Sequence, residues 1–238
     1  MPNEALWALF IVVDLCFSLL AFRLWGRYGI YAMIVVGTIV ANIQVVKTVQ
    51  MFGMVATLGN IVYASIFLNT DILSEIYGKR AARQGVWIGF YALVATVVAM
   101  QFAVWFRPDV SDTMQPHLQA LFGILPRIAG ASIVAYLVSQ HHDIWAFHFW
   151  KRRTRGRWLW LRNNASTMIS QLIDTAVFTT IAFLGVFPWD VFWQIFITTY
   201  VFKWVIAAAD TPFVYAARWW HQRRVASADN TARQSRSR

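Results

Sequence analysis

Seven apolar runs, each near the length that crosses a lipid bilayer, follow one another along the chain at 5–22, 28–46, 55–70, 86–106, 118–138, 167–187 and 191–215. A helical span needs about 20 such residues, and backbone in hydrocarbon must satisfy its own hydrogen bonds. Together these conditions predict an all-α fold, a polytopic transmembrane helix bundle of seven spans. Six spans is the alternative, if one run is re-entrant. The third run is the shortest, and residues 51–54 are available to extend it. Pro126 and Pro212 interrupt the fifth and seventh runs, where a kink or an early stop is expected. Successive spans leave no room for a soluble domain. Residues 1–224 read as one transmembrane domain, and the polar segment 225–238 reads as a disordered cytoplasmic tail.

The net charge of +10 could point to nucleic acid, but its distribution points to topology instead. Seventeen of the 21 basic residues fall on alternate connections: Arg23 and Arg27; Lys79, Arg80 and Arg83; six between 151 and 162; six from Arg218 onward. The opposite side holds only Arg107, beside Asp109 and Asp112. By the positive-inside rule the C-terminus is cytoplasmic and, with seven spans, the N-terminus lies outside. Thirteen Trp and eighteen Phe suit interfacial belts and lipid-facing surfaces. Cys16 is the single cysteine, which rules out an intramolecular disulfide. The acidic start lacks a basic leader region, so the first run reads as a retained span. The segment 141–162 alternates aromatic and basic residues and is expected to lie along the cytoplasmic interface.

Ionisable groups within or at the ends of these runs carry the functional signal. Asp71 and Glu75 close the third run, Asp174 sits inside the sixth, and Lys47, Arg127, Lys203 and Asp210 complete the set. A charge at bilayer depth costs roughly 2.5–3.5 kcal/mol on insertion scales, so such groups usually face a bundle interior or a watery cavity. Asn60, Phe67, Asp71 and Glu75 share one helical face by spacing; Thr167, Gln171, Asp174 and Phe178 share another. Asn42, Gln44 and Lys47 add polar groups from the second run, and Arg127 from the fifth. Amide, carboxylate and ring together suit a flat, hydrogen-bonding heterocycle. The plainer alternatives are interfacial salt bridges, with Glu75 pairing Lys79 at four residues, and a packing pair of Asp174 with Arg127 or Lys203.

His141, His142, Asp143 and His148 resemble metal ligands at first glance, yet no Cys or Glu completes a set, so no metal or other cofactor is expected. No phosphate loop, nucleophile elbow or zinc-protease helix appears. Asp143 and His148 as an acid–base pair on lipid is the enzyme alternative; without a nucleophile the chain is read as no enzyme.

Three stretches carry a family resemblance. They are Gly59-Asn60-Ile61 with Asn69-Thr70-Asp71-Ile72-Leu73-Ser74-Glu75-Ile76-Tyr77-Gly78-Lys79-Arg80, then Ala135-Tyr136-Leu137-Val138-Ser139-Gln140 with Asp143, then Leu159 to Thr167 continuing into Ser170-Gln171-Leu172-Ile173-Asp174-Thr175. In order and spacing they resemble the queuosine precursor transporter family, formerly called vitamin uptake transporters. His141-His142 before Asp143 is more basic than that pattern. The resemblance implies a bacterial inner-membrane importer of 7-cyano-7-deazaguanine or its aminomethyl relative, salvaged for the queuosine modification of tRNA. Import of another vitamin-like heterocycle, alone or as a substrate-binding subunit, is the alternative. The expected substrate-binding residues are Asn42, Gln44, Lys47, Asn60, Asp71, Glu75, Arg127, Gln171 and Asp174. The expected partners are a planar purine-like substrate and membrane lipid, not nucleic acid, with homo-oligomerisation left open.

Overall fold

The computed structural model describes residues 1–153 and 159–236. Eight helices and one hairpin follow in order: α1 (Asn3–Trp25), α2 (Arg27–Gln44), β1 (Thr48–Met51), β2 (Met54–Thr57), α3 (Asn60–Tyr77), α4 (Lys79–Trp105), α5 (Gln115–Phe122), α6 (Leu125–Arg153), α7 (Leu159–Phe183) and α8 (Trp189–Arg236). Among the described residues three helical stretches are long and apolar enough to cross a membrane: Asn3–Trp25, Lys79–Trp105 and Gln115–Ser139. Met168–Phe183 is a shorter apolar helix.

Exposed faces agree with a lipid solvent. Val12, Phe17, Leu20 and Leu24 of α1 are exposed, as are Tyr91, Val94, Val98 and Phe102 of α4 and Trp193, Ile197, Val201 and Trp204 of α8. Each set recurs at three to five residues, so each is a continuous apolar stripe, far more than a water-soluble surface tolerates. The opposite stripe of α1 (Ile11, Leu15, Ser18, Leu19 and Phe22) is buried.

The chain forms two compact units. The first comprises Met1–Ala41, Gly59–Leu93 and Val205–Arg238; the second comprises Asn42–Leu58 and Val94–Trp204. In the first, α1 packs against α3. α2 and α4 approach closely because α4 offers Gly89: a Cβ there would lie 2.8 Å from Thr38 Oγ1 and 3.1 Å from Ile34 Cγ2. Small residues are the usual route to tight crossings where no hydrophobic effect drives helices together.

In the second unit α6 packs along α7. A core of Val45, Ile128, Ala131, Ala182, Phe183, Phe192 and Ile195 is flanked by Phe178 and Phe187. The fifth apolar run is divided between α5 and α6, and Pro126 sits as the second residue of α6, where its missing N–H costs nothing. Pro212 lies within α8, which continues past it. The bounds of α8 also take in residues 225–236 of the polar segment expected to lack structure.

The third run requires a correction. Residues 55–57 are not helical, and residues 51–54 do not extend a helix: all belong to a β-hairpin, and the helix begins at Asn60. Thr48 pairs with Thr57, Val49 with Ala56, Gln50 with Val55 and Met51 with Met54. Phe52 and Gly53 turn the chain with φ of 52° and 75°, the two left-handed conformations of a type I′ turn. Val49, Val55 and the flanking threonines favour the extended backbone on either side. Strand edges inside a membrane protein must find internal partners, and α8 supplies them. Gln194 Oε1 accepts from the Val55 N–H at 2.8 Å, and Thr198 Oγ1 donates to the Val55 carbonyl at 3.3 Å. Gln194 and Thr198 stand four apart, one helical turn, which matches the outward-pointing groups of a single strand residue.

Candidate functional site

The second unit gathers polar side chains along the antiparallel seam of α6 and α7. At one end Arg127 Nε donates to the Ile181 carbonyl and its Nη2 to the Leu184 carbonyl, each at 2.6 Å. These are orphan acceptors at the C-terminal end of α7, where a cation is favoured. Next, Ser132 donates to Asn42 Oδ1 at 2.8 Å. Seven residues further along α6, Ser139 donates to Asp174 Oδ1 at 3.2 Å. At the far end His142 Nδ1 meets Ser170 Oγ at 3.0 Å. From Arg127 to His142 the seam runs about 22 Å at the helical rise.

Its centre is Asp174. The side chain is buried, and its Oδ2 receives Lys203 Nζ from α8 at 2.5 Å. Two ions at such depth compensate each other, and removing one partner alone leaves an unpaired charge. Beside them, α7 turns Gln171, Thr175 and Thr179 inward at four-residue spacing. Thr175 donates to the Gln171 carbonyl at 2.9 Å, while Gln171 Oε1 and Thr179 Oγ1 are buried without a hydrogen-bond partner among the described residues. Gln44 Oε1, at the end of α2, is in the same state. The second unit therefore holds a saturated ion pair flanked by uncommitted acceptors. That arrangement can receive the N–H donors of a small planar molecule.

Five of the nine expected site residues take part in this unit's polar framework in different ways: Asn42, Gln44, Arg127, Gln171 and Asp174. Arg127 is committed to backbone carbonyls of α7 and to no carboxylate. Lys47 is exposed, and its backbone closes the hairpin mouth through its carbonyl, which accepts from Leu58 at 3.1 Å. Asn60, Asp71 and Glu75 lie in the first unit. There Asn60 is buried at the start of α3, whereas Asp71 is exposed. Glu75 pairs with Arg218 at 3.0 Å, rather than with Lys79, in an ion pair half exposed on both sides; such pairs contribute little. The side chains of Asp143, His148, Thr167 and Asp210 lie outside the described residues.

Sequence reading missed Ser132, Ser139, Thr175 and Thr179. The signal was present: Ser132 and Ser139 are seven apart, and Gln171, Thr175 and Thr179 four apart, each one face of a helix. Asp14, inside the first run, also passed unnoticed.

Apolar stripes facing outward and a buried, charged seam within define an α-helical membrane protein. Residues 57–217 match the family described as "Putative vitamin uptake transporter", and the chain belongs to that family. It is 42% identical over 219 residues to the "Probable queuosine precursor transporter" of Bacillus subtilis (strain 168), covering 92% of this chain and 96% of that one. It is 28% identical over 171 residues to the "Queuosine precursor transporter" of Escherichia coli (strain K12), covering 70% and 74%. With the "Probable queuosine precursor transporter" of Haemophilus influenzae (strain ATCC 51907 / DSM 11121 / KW20 / Rd) it shares 30% over 132 residues, covering 56% and 54%. No solved structure matches.

Proposed function

We propose that this protein imports a queuosine precursor, 7-cyano-7-deazaguanine or its aminomethyl relative, across a bacterial cytoplasmic membrane. Near-complete coverage of the Bacillus subtilis relative at 42% identity carries this reading. The chemistry of the seam supports it. A deazaguanine presents an exocyclic amine and ring N–H groups along one edge, and the acceptors Gln171 Oε1 and Asp174 suit such an edge. Asn42 and Ser132 orient the base, and Lys203 compensates Asp174 when no substrate is bound. The seven spans are α1, α2, α3, α4, α5 with α6, α7 and α8, with a cytoplasmic C-terminus. Arg23 over the Trp220 ring at 5.5 Å and Arg223 over the Trp219 ring at 3.8 Å form the collar expected at that interface.

The test is uptake of labelled deazaguanine by cells unable to synthesise it, with queuosine in tRNA as the readout. Gln171→Leu is the informative variant, because the Oε1 it removes has no hydrogen-bond partner among the described residues. A lost substrate hydrogen bond of about 1–3 kcal/mol lowers uptake by roughly tenfold or more at unchanged expression. Normal uptake by both Gln171→Leu and Asp174→Asn overturns the assignment of the seam.

A further inference from the structure

We propose that Asp14, Ser18, Ser65 and Asn69 form a binding site for a monovalent cation between α1 and α3. The two helices run parallel with one register: Asp14 shares a hydrogen bond with Ser65, and Asn69 Nδ2 donates to Ser18 Oγ at 3.1 Å. Asp14 and Ser18 are four apart on α1, as are Ser65 and Asn69 on α3, so four oxygen-bearing side chains meet on facing stripes. Ser18, Ser65 and Asn69 are all fully buried.

Donors and acceptors do not balance in this cluster. Ser65 Oγ has two acceptors in reach, Asp14 and the Val62 carbonyl at 2.9 Å, and its single hydrogen serves only one of them at a time. Asp14 Oδ2 and Asn69 Oδ1 are buried and accept from no donor among the described residues. A plain packing clamp would be built from matched pairs; here a carboxylate oxygen and an amide oxygen are both left over. Nor does a basic residue compensate Asp14, since the ion pairs among the described residues are Lys203–Asp174 and Arg218–Glu75. Carboxylate, amide and hydroxyl oxygens are the ligand set of a hard cation. The charged groups on elements packed against this face stand apart from it. Asp71 is six residues beyond Ser65 on α3, about 9 Å along the axis and on another face. Glu75 is further on, and Arg218 is taken by it.

The shared chemistry is neutralisation of one half-buried carboxylate, and sodium or a proton can supply it. That this cation is the one coupled to import rests on the transporter reading; its binding does not, and the test therefore uses no substrate. Melting temperature of the purified, full-length protein in detergent is measured in sodium chloride against choline chloride, and separately across pH. Sodium at about a hundred times its Kd raises the melting temperature by roughly 5 °C. Asp14→Asn abolishes the shift. Ser65→Ala keeps the carboxylate and removes one ligand oxygen, and it raises the half-saturating sodium by roughly tenfold; it serves if Asp14→Asn does not fold. A shift driven by acid in place of sodium, and lost in Asp14→Asn, supports the same site with a proton as its ion. No response to either ion, or a sodium response that persists in Asp14→Asn, overturns the proposal.

Discussion

Single residues in this protein are best understood through what their polar atoms do when water is absent. Asp174 and Lys203 illustrate a test that separates packing from function. Lys203→Met strands a buried carboxylate, with an expected loss of about 3–5 kcal/mol of stability in a detergent melt. The double variant Asp174→Leu with Lys203→Met removes both ions, and its stability returns close to that of the parent. A pair serving only packing would restore import as well; a pair that meets substrate leaves import abolished in the refolded double variant. Outside the membrane the same logic applies at lower stakes. Asp109, in the connection between α4 and α5, accepts from the Ser111 hydroxyl at 2.6 Å and its N–H at 3.0 Å. These bonds favour the ionised form and lower the Asp109 pKa below the ordinary 3.8. Its contribution is thus complete above the ordinary value and fades as pH falls below it through the lowered one. Carbon NMR titration of the Asp109 carboxyl should give a midpoint under 3.8, which Ser111→Ala moves upward.

At the scale of elements, the hairpin of Thr48–Met51 and Met54–Thr57 is the piece that apolar composition concealed. Val55, Ala56 and Thr57 are as apolar as a helix start, so a run-length criterion joins them to α3. The true signal is local: two left-handed residues at 52 and 53 between β-branched pairs. Phe52 is an unusual residue for that conformation, which explains why the turn did not stand out, and its ring meets Phe202 at 6.2 Å. The all-α character and the order of the apolar helices, by contrast, were legible from run length, whereas the division of the fifth run between α5 and α6 was signalled only by Pro126. The carboxylate Asp174 was legible because charge within an apolar run is rare. Its serine and threonine neighbours were not, because hydroxyls are common in transmembrane helices and only their partners reveal a role. The hairpin makes its own prediction. Gln194→Leu leaves the Val55 N–H without its acceptor and costs about 1–3 kcal/mol, whereas the nearby exposed Trp193→Leu changes little. Thermal unfolding of both variants, with Gly53→Val as a turn-breaking control, checks the ordering.

For the whole molecule the decisive quantity is the number of crossings, because topology fixes which ends of the seam and of the α1–α3 cluster face each compartment. Charge asymmetry is the physical basis: with seven crossings the connection 106–114 lies opposite the segments carrying Lys79, Arg80 and Arg83. A six-span arrangement would put some of these on the same side as Arg107. The single cysteine makes the experiment direct. In a Cys16→Ser background, one reporter replaces Asp112 and another replaces Arg80, each tested alone in intact cells with a membrane-impermeant maleimide. Asp112→Cys should label without permeabilisation, and Arg80→Cys only after it. Because α4 (Lys79–Trp105) connects the two positions directly and is long and apolar enough to cross, their opposite labelling follows from one helix. The discriminating step is a third reporter at Gly185, between α7 and α8. Seven crossings place it with Asp112, and a re-entrant α7 would place it with Arg80. A re-entrant helix would also bring the Asp174–Lys203 pair to one surface, where water would screen it and remove the reason for Ser139 to bond Asp174. Labelling of Gly185→Cys from outside is therefore the outcome expected with seven crossings, and labelling only after permeabilisation is the outcome expected with six.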